Sequence, residues 1–157
     1  MIDRKTLLAP PFAADPPVKL NVPAKTLGLV IAVVGGIAAV LGLLAVLGLL
    51  GLSALAGVAF AGIFFVAVTG AIVGEIGTVL GAWGGYQMYQ EKREGKATVI
   101  YGLILNVIGS LIGALGGTAG LTGWLVGALV SFAIYYIVII SRFPGEPPLV
   151  VTTAPKS

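Results

Sequence analysis

The stretch that decides the fold runs from Leu27 to Gln90 and reads LGLVIAVVGGIAAVLGLLAVLGLLGLSALAGVAFAGIFFVAVTGAIVGEIGTVLGAWGGYQMYQ. Its only charged residue is Glu75. A helix needs about 20 apolar residues to cross the ~30 Å hydrocarbon core of a bilayer, so this stretch is long enough for two spans. The sequence therefore predicts an integral membrane protein, because lipid is the solvent that suits so long an apolar run.

The composition of the whole chain supports this class. Of its 157 residues, 58% are hydrophobic and only 10% are charged, with a mean hydropathy of +1.08, whereas a typical soluble domain has about 25% charged residues. The chain has no cysteine and no histidine, so thiolate chemistry and the commonest metal and haem ligand are excluded. We expect no metal site and no cofactor. The net charge of +3 comes without a basic stripe interleaved with aromatic residues, so no nucleic-acid partner is expected.

Polar interruptions divide the apolar sequence into four predicted spans. We place them at about 27–50, 54–90, 97–116 and 121–141, with proline-rich extended tails at 1–26 and 143–157. The predicted turns lie at Gly51–Ser53, Glu91–Lys96 and Gly116–Gly120. The second span is longer than the core requires, so we expect it to tilt, break or project into water. A cleaved signal peptide is the alternative for the first span, but the apolar run exceeds the ~7–15 residues of such signals.

The basic residues predict the orientation of the chain. With an even number of spans, all nine fall on one side: Arg4, Lys5, Lys19, Lys25, Lys92, Arg93, Lys96, Arg142 and Lys156. The positive-inside rule assigns that side to the cytoplasm, so we expect a multi-pass protein of the cell (inner) membrane with both termini cytoplasmic. Aromatic residues at the predicted interfaces are expected to act as anchors: Trp83, Tyr86, Tyr89 and Tyr101 near the charged turn, and Trp124 near an outer turn.

The 24 glycines form stripes at helical spacing. Residues seven apart lie on nearly the same face of a helix, and small residues on one face let helix backbones approach closely in a membrane. We therefore predict that the following glycines pack helix against helix: Gly28, Gly35 and Gly42 in the first span, Gly70, Gly74, Gly77, Gly81 and Gly85 in the second, and Gly102, Gly109 and Gly116 in the third.

The first and third spans also resemble each other. Laying Leu27 on Tyr101 aligns the three glycines of each stripe, and Gly51–Ser53 resembles Gly120–Thr122 at the start of spans two and four. This pattern indicates a duplicated helical hairpin, with both copies in the same orientation. The alternative is chance, since spans rich in glycine, leucine and valine match one another easily.

A few polar residues fall inside the predicted spans. A carboxylate within a span costs a few kcal/mol, and Glu75 lies within a glycine stripe, so we expect it to face a neighbouring helix. Thr78 lies nearly one turn beyond it, and Asn106 and Ser110 form a polar face in the third span. Ser131 adds a hydroxyl in the fourth. Three interpretations stay open for Glu75: a proton or cation site with Asn106, a structural hydrogen bond across the bundle, and a position near the membrane surface.

Chain length, four spans, glycine-rich helices and a lone intramembrane Glu75 make the chain resemble the four-span proteolipid rotor subunits of vacuolar-type ATPases. That resemblance implies an essential carboxylate on a helix near the carboxyl end, separate from the glycine-rich helices. Here Glu75 lies on the glycine-rich second span, and the fourth span has no acid. We therefore assign the chain to no family.

The sequence favours a non-enzymatic function. It offers almost no reactive chemistry: in the absence of histidine, no Ser-His-Asp site exists, and no glycine-rich loop has the phosphate-binding form. The favoured hypothesis is an accessory or structural subunit that packs, through glycine-lined helix faces, against itself as a homo-oligomer or against a larger membrane complex. The alternative is a proton or cation channel or transporter subunit that uses Glu75.

Overall fold

The structure, a computed structural model, describes residues 22–55, 61–117 and 120–146. Within these ranges the chain forms four helices and no strand: α1 (Ala24–Leu55), α2 (Ala61–Tyr89), α3 (Glu94–Leu115) and α4 (Gly120–Ile140). Each helix is long and apolar enough to cross a membrane. The predicted all-α fold with four membrane-spanning helices is confirmed. The predicted tails lie largely outside the described residues.

The predicted turn at Gly51–Ser53 is wrong, because these residues lie inside α1. The Ser53 hydroxyl donates a hydrogen bond to the Leu50 carbonyl oxygen at 2.7 Å, so this polar side chain is satisfied without leaving the helix. Glycine also breaks helices less readily in membranes than in water. The chain therefore stays helical to Leu55, whereas the predicted second span began at Ala54.

The charged turn between α2 and α3 forms a Schellman motif. The Lys92 amide donates to the Gln87 carbonyl oxygen and the Glu91 amide to the Met88 carbonyl oxygen, both at 2.9 Å. Glu91 has a φ of 62°, a left-handed conformation that glycine usually supplies. This tight reversal makes α2 and α3 antiparallel neighbours, and theirs is the most extensive helix contact in the described structure. Helix α1 packs on α2, and α4 contacts α3 less closely.

Glycines face the interior of the bundle and many of the large aliphatic side chains face outward. The buried residues of α2 include Gly70, Gly77, Gly84 and Gly85, whereas leucines and valines along α1 and α4 are mostly exposed. In water this distribution would leave a very large apolar surface uncovered. In a bilayer it is expected, since lipid tails cover the outer side chains and small residues let the helices meet.

The large buried side chains cluster at one end of the bundle. The cluster consists of Ala24, Met88, Val99, Ile100, Val138, Ile139 and Phe143. Here the start of α1 lies beside the end of α4. The Ala24 amide donates to the Arg142 carbonyl oxygen at 2.7 Å, and the Arg142 amide donates to the Val22 carbonyl oxygen at 3.0 Å. We call this end, formed by 22–25, 89–96 and 141–146, the charged end. The first and last described residues thus lie on the same side of the bundle.

The predicted hairpin duplication finds no counterpart in the packing. Helices α1 and α3 both direct their glycine stripes at α2, whereas a duplicated hairpin would direct the α3 stripe at α4. The proposed match of Gly51 with Gly120 at two span starts also fails, because Gly51 lies inside α1 while Gly120 begins α4. The likeness between the first and third spans therefore corresponds to a shared mode of packing on α2.

Candidate functional site

The seam between α2 and α3 is built from glycines on both helices. A methyl group built on Gly77 would lie 2.5 Å from the Asn106 backbone nitrogen and 2.6 Å from the Gly102 carbonyl oxygen. One on Gly102 would lie 2.5 Å from the Gly81 nitrogen, and one on Gly109 would overlap the Gly74 backbone. Side chains at these positions would push the two backbones apart.

The same seam continues at both ends. Gly70 faces Gly109 and Gly113, and Gly116 faces Ala67. Toward the charged end, Gly84 faces Gly95 and Val99 in the same manner. Sequence reasoning missed Gly84 and Gly95, although each extends a stripe by one further step of seven residues.

The seam between α1 and α2 uses the first-span stripe. A methyl group on Gly28 would lie 2.7 Å from the Gly85 carbonyl oxygen, and one on Gly35 would lie 3.1 Å from the Ala82 Cβ. At Gly42 the methyl group would overlap the carboxyl group of Glu75. Gly42 therefore provides the space that the Glu75 side chain occupies.

Glu75 lies at the middle of α2, at this seam. It is 14 residues from each end of α2 (75 − 61 and 89 − 75), which places it roughly 21 Å from either end at ~1.5 Å per residue. Its side chain is half-buried. Among the described residues it has neither a hydrogen bond nor an ion pair to its carboxyl group.

A second polar cluster lies on another side of α2. The Asn106 amide nitrogen donates to the Thr78 hydroxyl oxygen at 3.0 Å and to the Gly74 carbonyl oxygen at 3.4 Å. Thr78 in turn donates to the Gly74 carbonyl oxygen at 3.1 Å. Glu75 takes no part in this cluster. The predicted pairing of Glu75 with Asn106 is therefore not made, because Glu75 faces α1 while Thr78 and Asn106 meet between α2 and α3.

Ser110 bonds within its own helix. Its hydroxyl donates to the Val107 carbonyl oxygen at 2.9 Å, so it does not reach the Asn106 cluster. The same carbonyl accepts a hydrogen bond from the Trp124 indole nitrogen at 3.3 Å. Trp124 thereby attaches α4 to α3, in addition to the interfacial role predicted from its position.

A groove separates α1 from α4 over the surface of α2 and α3. Its volume is about 530 Å³. Aliphatic side chains form most of its wall, and Thr78, Asn106 and Ser131 are its hydrogen-bonding side chains. Gly81 and Gly127 border it, and no atom lies within 4 Å of where a Cβ would be at either position. The helices thus leave a space that their own side chains do not fill.

A polar network ties the chain together at the charged end. Lys25 forms a 3.0 Å ion pair with Glu91 and lies 5.8 Å from the centre of the Tyr89 ring. The half-buried Lys96 donates a hydrogen bond to the Ser141 carbonyl oxygen and lies 5.3 Å from the centre of the Phe143 ring. These contacts join the start of α1, the turn between α2 and α3, and the end of α4.

The aromatic residues near this end lie on the outside of the bundle. Trp83 and Tyr86 are exposed and stack at a tilt, with ring centroids 5.7 Å apart. Tyr89 and Tyr101 are also exposed. This placement suits side chains that sit at a lipid headgroup layer.

Together these features define a small multi-pass membrane protein with two intramembrane polar positions. In the described part of the chain, no group of three or more acidic, histidine or cysteine side chains is arranged to hold a metal ion. No known protein family, curated protein or solved structure matches the chain.

Proposed function

We propose that this protein is a non-enzymatic accessory or structural subunit, which binds a second copy of itself or a larger membrane complex through the outer face of α1. Apart from Gly81, which borders the groove, the glycines of the predicted stripes face other helices of the same chain. Any partner must therefore contact other surfaces.

The observation that carries this proposal is a set of open glycines on α1. Gly36, Gly48 and Gly51 have no atom within 4 Å of where a Cβ would be. At 3.6 residues per turn they fall within about 120° of the helix circumference. Small residues on one face allow a second membrane helix to approach closely, where dispersion contacts and weak hydrogen bonds favour association.

The lengths of α1 and α2 also support a contact between a partner and the outer face of α1. Gly116, at the end of α3, contacts Ala67, so the first six residues of α2 (61–66) project beyond α3 by roughly 9 Å. The exposed side chains of this projection include Ile63 and Phe65, and Leu55 at the end of α1 is also exposed. Such an apolar extension must tilt into the bilayer or be covered by protein, since water would contact it otherwise.

Native electrophoresis in mild detergent tests this proposal. The wild-type protein should migrate above the monomer, and Gly48→Leu should release the monomer because the added side chain blocks close approach. Gly127→Leu is the matched control, since it adds the same side chain to an equally open position on α4. A single Gly48→Cys variant should form a disulfide-linked dimer if the partner is a second copy, and the chain has no native cysteine to interfere. A wild-type protein that stays monomeric and forms no such product would contradict the proposal.

Glu75 favours a second candidate, a proton or cation channel or transporter subunit. Its carboxyl group lies at the middle of α2 without a hydrogen bond from the described residues, and carboxylates within membrane-spanning helices commonly mark ion pathways. Proton or cation flux into liposomes should then be present for the wild type and lost in Glu75→Gln. Absence of flux from the wild type rejects this candidate, and unchanged flux in the variant rejects Glu75 as its site.

A further inference from the structure

We propose that the groove between α1 and α4 binds a lipid-soluble alcohol, whose hydroxyl group is held by Asn106 and Ser131. The groove's volume of about 530 Å³ lies within the range of roughly 300–1,000 Å³ that is usual for small-molecule sites. All four helices contribute to its lining. The site is separate from the outer α1 face and from Glu75, neither of which borders it.

The groove has the length of one bilayer leaflet. Along α1 it runs from Leu27 to Ala38, and along α4 from Gly127 to Ile137. These segments span roughly 15–16 Å, and half of the ~30 Å hydrocarbon core is about 15 Å. An elongated apolar molecule therefore fits between the charged end and the middle of the membrane.

Helices α1 and α4 meet at the charged end and leave the groove unfilled further along the bundle. The hydrogen bonds of Arg142 with Val22 and Ala24 hold the start of α1 beside the end of α4. Further along, Gly81 and Gly127 border the groove from α2 and α4, and both lack any neighbour within 4 Å of a Cβ position. An apolar space inside a membrane protein is filled by apolar molecules, since water has few partners there.

Two polar groups on the wall specify the chemistry of the occupant. The Asn106 amide nitrogen already donates to Thr78 and to the Gly74 carbonyl oxygen, which leaves its carbonyl oxygen without a donor from the described residues. The Ser131 hydroxyl likewise has no hydrogen bond to the described part of the chain. A saturated acyl chain would leave both groups unpaired at a cost. In the proposed complex a single hydroxyl group satisfies both, donating to the Asn106 oxygen and accepting from Ser131.

Retinol is a suitable probe, since it is an elongated isoprenoid alcohol that accepts excitation energy from tryptophan. Titrated into the protein in phosphatidylcholine nanodiscs, retinol should quench the fluorescence of Trp83 and Trp124 saturably, with one molecule per chain. Retinol methyl ether lacks the donor hydrogen and should bind roughly tenfold more weakly to the wild-type protein. This comparison needs no variant, so it does not depend on any substitution being tolerated.

Variants then locate the site. Gly81→Leu and Gly127→Leu fill the groove from opposite walls, and each should weaken retinol binding at least tenfold. Gly62→Leu adds the same side chain to an open position outside both the groove and the outer face of α1 and should bind like the wild type. Ser131→Ala should weaken retinol and its methyl ether alike, because the oxygen atom of either ligand accepts from Ser131. The proposal is overturned if quenching is not saturable, if both filled variants bind normally, or if the ether binds as tightly as retinol, which would indicate filling by hydrocarbon alone.

Discussion

The substitution Gly77→Ala tests the close packing of α2 on α3. The new methyl carbon would lie 2.5 Å from the Asn106 backbone nitrogen, 2.6 Å from the Gly102 carbonyl oxygen and 3.0 Å from the Asn106 Cα. Ordinary contacts begin at 3.4 Å, so the shortest must lengthen by 0.9 Å (3.4 − 2.5). All three partners are backbone atoms, so no side-chain rotation relieves the overlap. Overpacking of this kind typically costs about 1–3 kcal/mol, and we expect that loss in the free energy of unfolding.

Gly81→Ala is the matched control for this measurement. It lies about one turn further along α2, and no atom lies within 4 Å of its added methyl group. Both variants gain the same helix propensity, so their difference isolates the packing term. Reversible unfolding by SDS in mixed micelles, followed by tryptophan fluorescence, gives the two free energies. Equal stability of Gly77→Ala and Gly81→Ala would refute the proposed geometry of the seam.

Three further predictions concern the turn and the contacts that hold α4 in place. Glu91→Gly should be about 1 kcal/mol more stable than Glu91→Ala in the same unfolding assay. Both variants lose the ion pair with Lys25, but only glycine removes the strain of the left-handed backbone conformation. Equal stabilities of the two variants would contradict the turn geometry. Lys96→Met should lower the free energy of unfolding by about 1.5–3 kcal/mol, since it removes a charged donor to the Ser141 carbonyl oxygen. Lys25→Met should lower it by less than ~1 kcal/mol, because the ion pair between Lys25 and Glu91 is exposed. A larger loss in Lys25→Met than in Lys96→Met would be inconsistent with the charged-end network. Trp124→Phe should lose about 1 kcal/mol through one neutral hydrogen bond, and no loss would show that α4 does not depend on this contact.

The sequence was sufficient to predict the number of spans and the stripe spacing. Lipid leaves few alternatives, because each backbone polar group in the core must be paired within a helix. Because Gly102, Gly109 and Gly116 are seven residues apart, they had to lie on one face of their helix. Which helix would meet that face was not predictable, since any neighbour with small residues would suit it.

The partners of the polar residues within the spans could not be predicted from the sequence. Glu75 and Thr78 differ by three residues, or about 300° around a helix, so whether both meet one partner depends on the rotation of α2. The structure turns Glu75 toward Gly42 and Thr78 toward Asn106. The outer turn was misplaced for a related reason: glycine and serine mark turns in water, whereas Gly51 and Ser53 continue α1 in this membrane helix.

The groove between α1 and α4 had no signal in the sequence. Its outline depends on the divergence of α1 and α4 away from the backbone hydrogen bonds near Arg142. Ser131 was recognised as a polar residue within a span, but its place in the same groove as Asn106 follows only from the arrangement of four helices.

The arrangement of the chain across the bilayer is tested most directly by labelling single cysteines with a membrane-impermeant thiol reagent. The chain offers no native thiol background. Lys92→Cys and Arg142→Cys should be labelled from one side of sealed vesicles, and Leu115→Cys, at the far end of α3, should be labelled only from the other side. Labelling of Lys92→Cys and Leu115→Cys from the same side would contradict a chain that crosses the membrane four times.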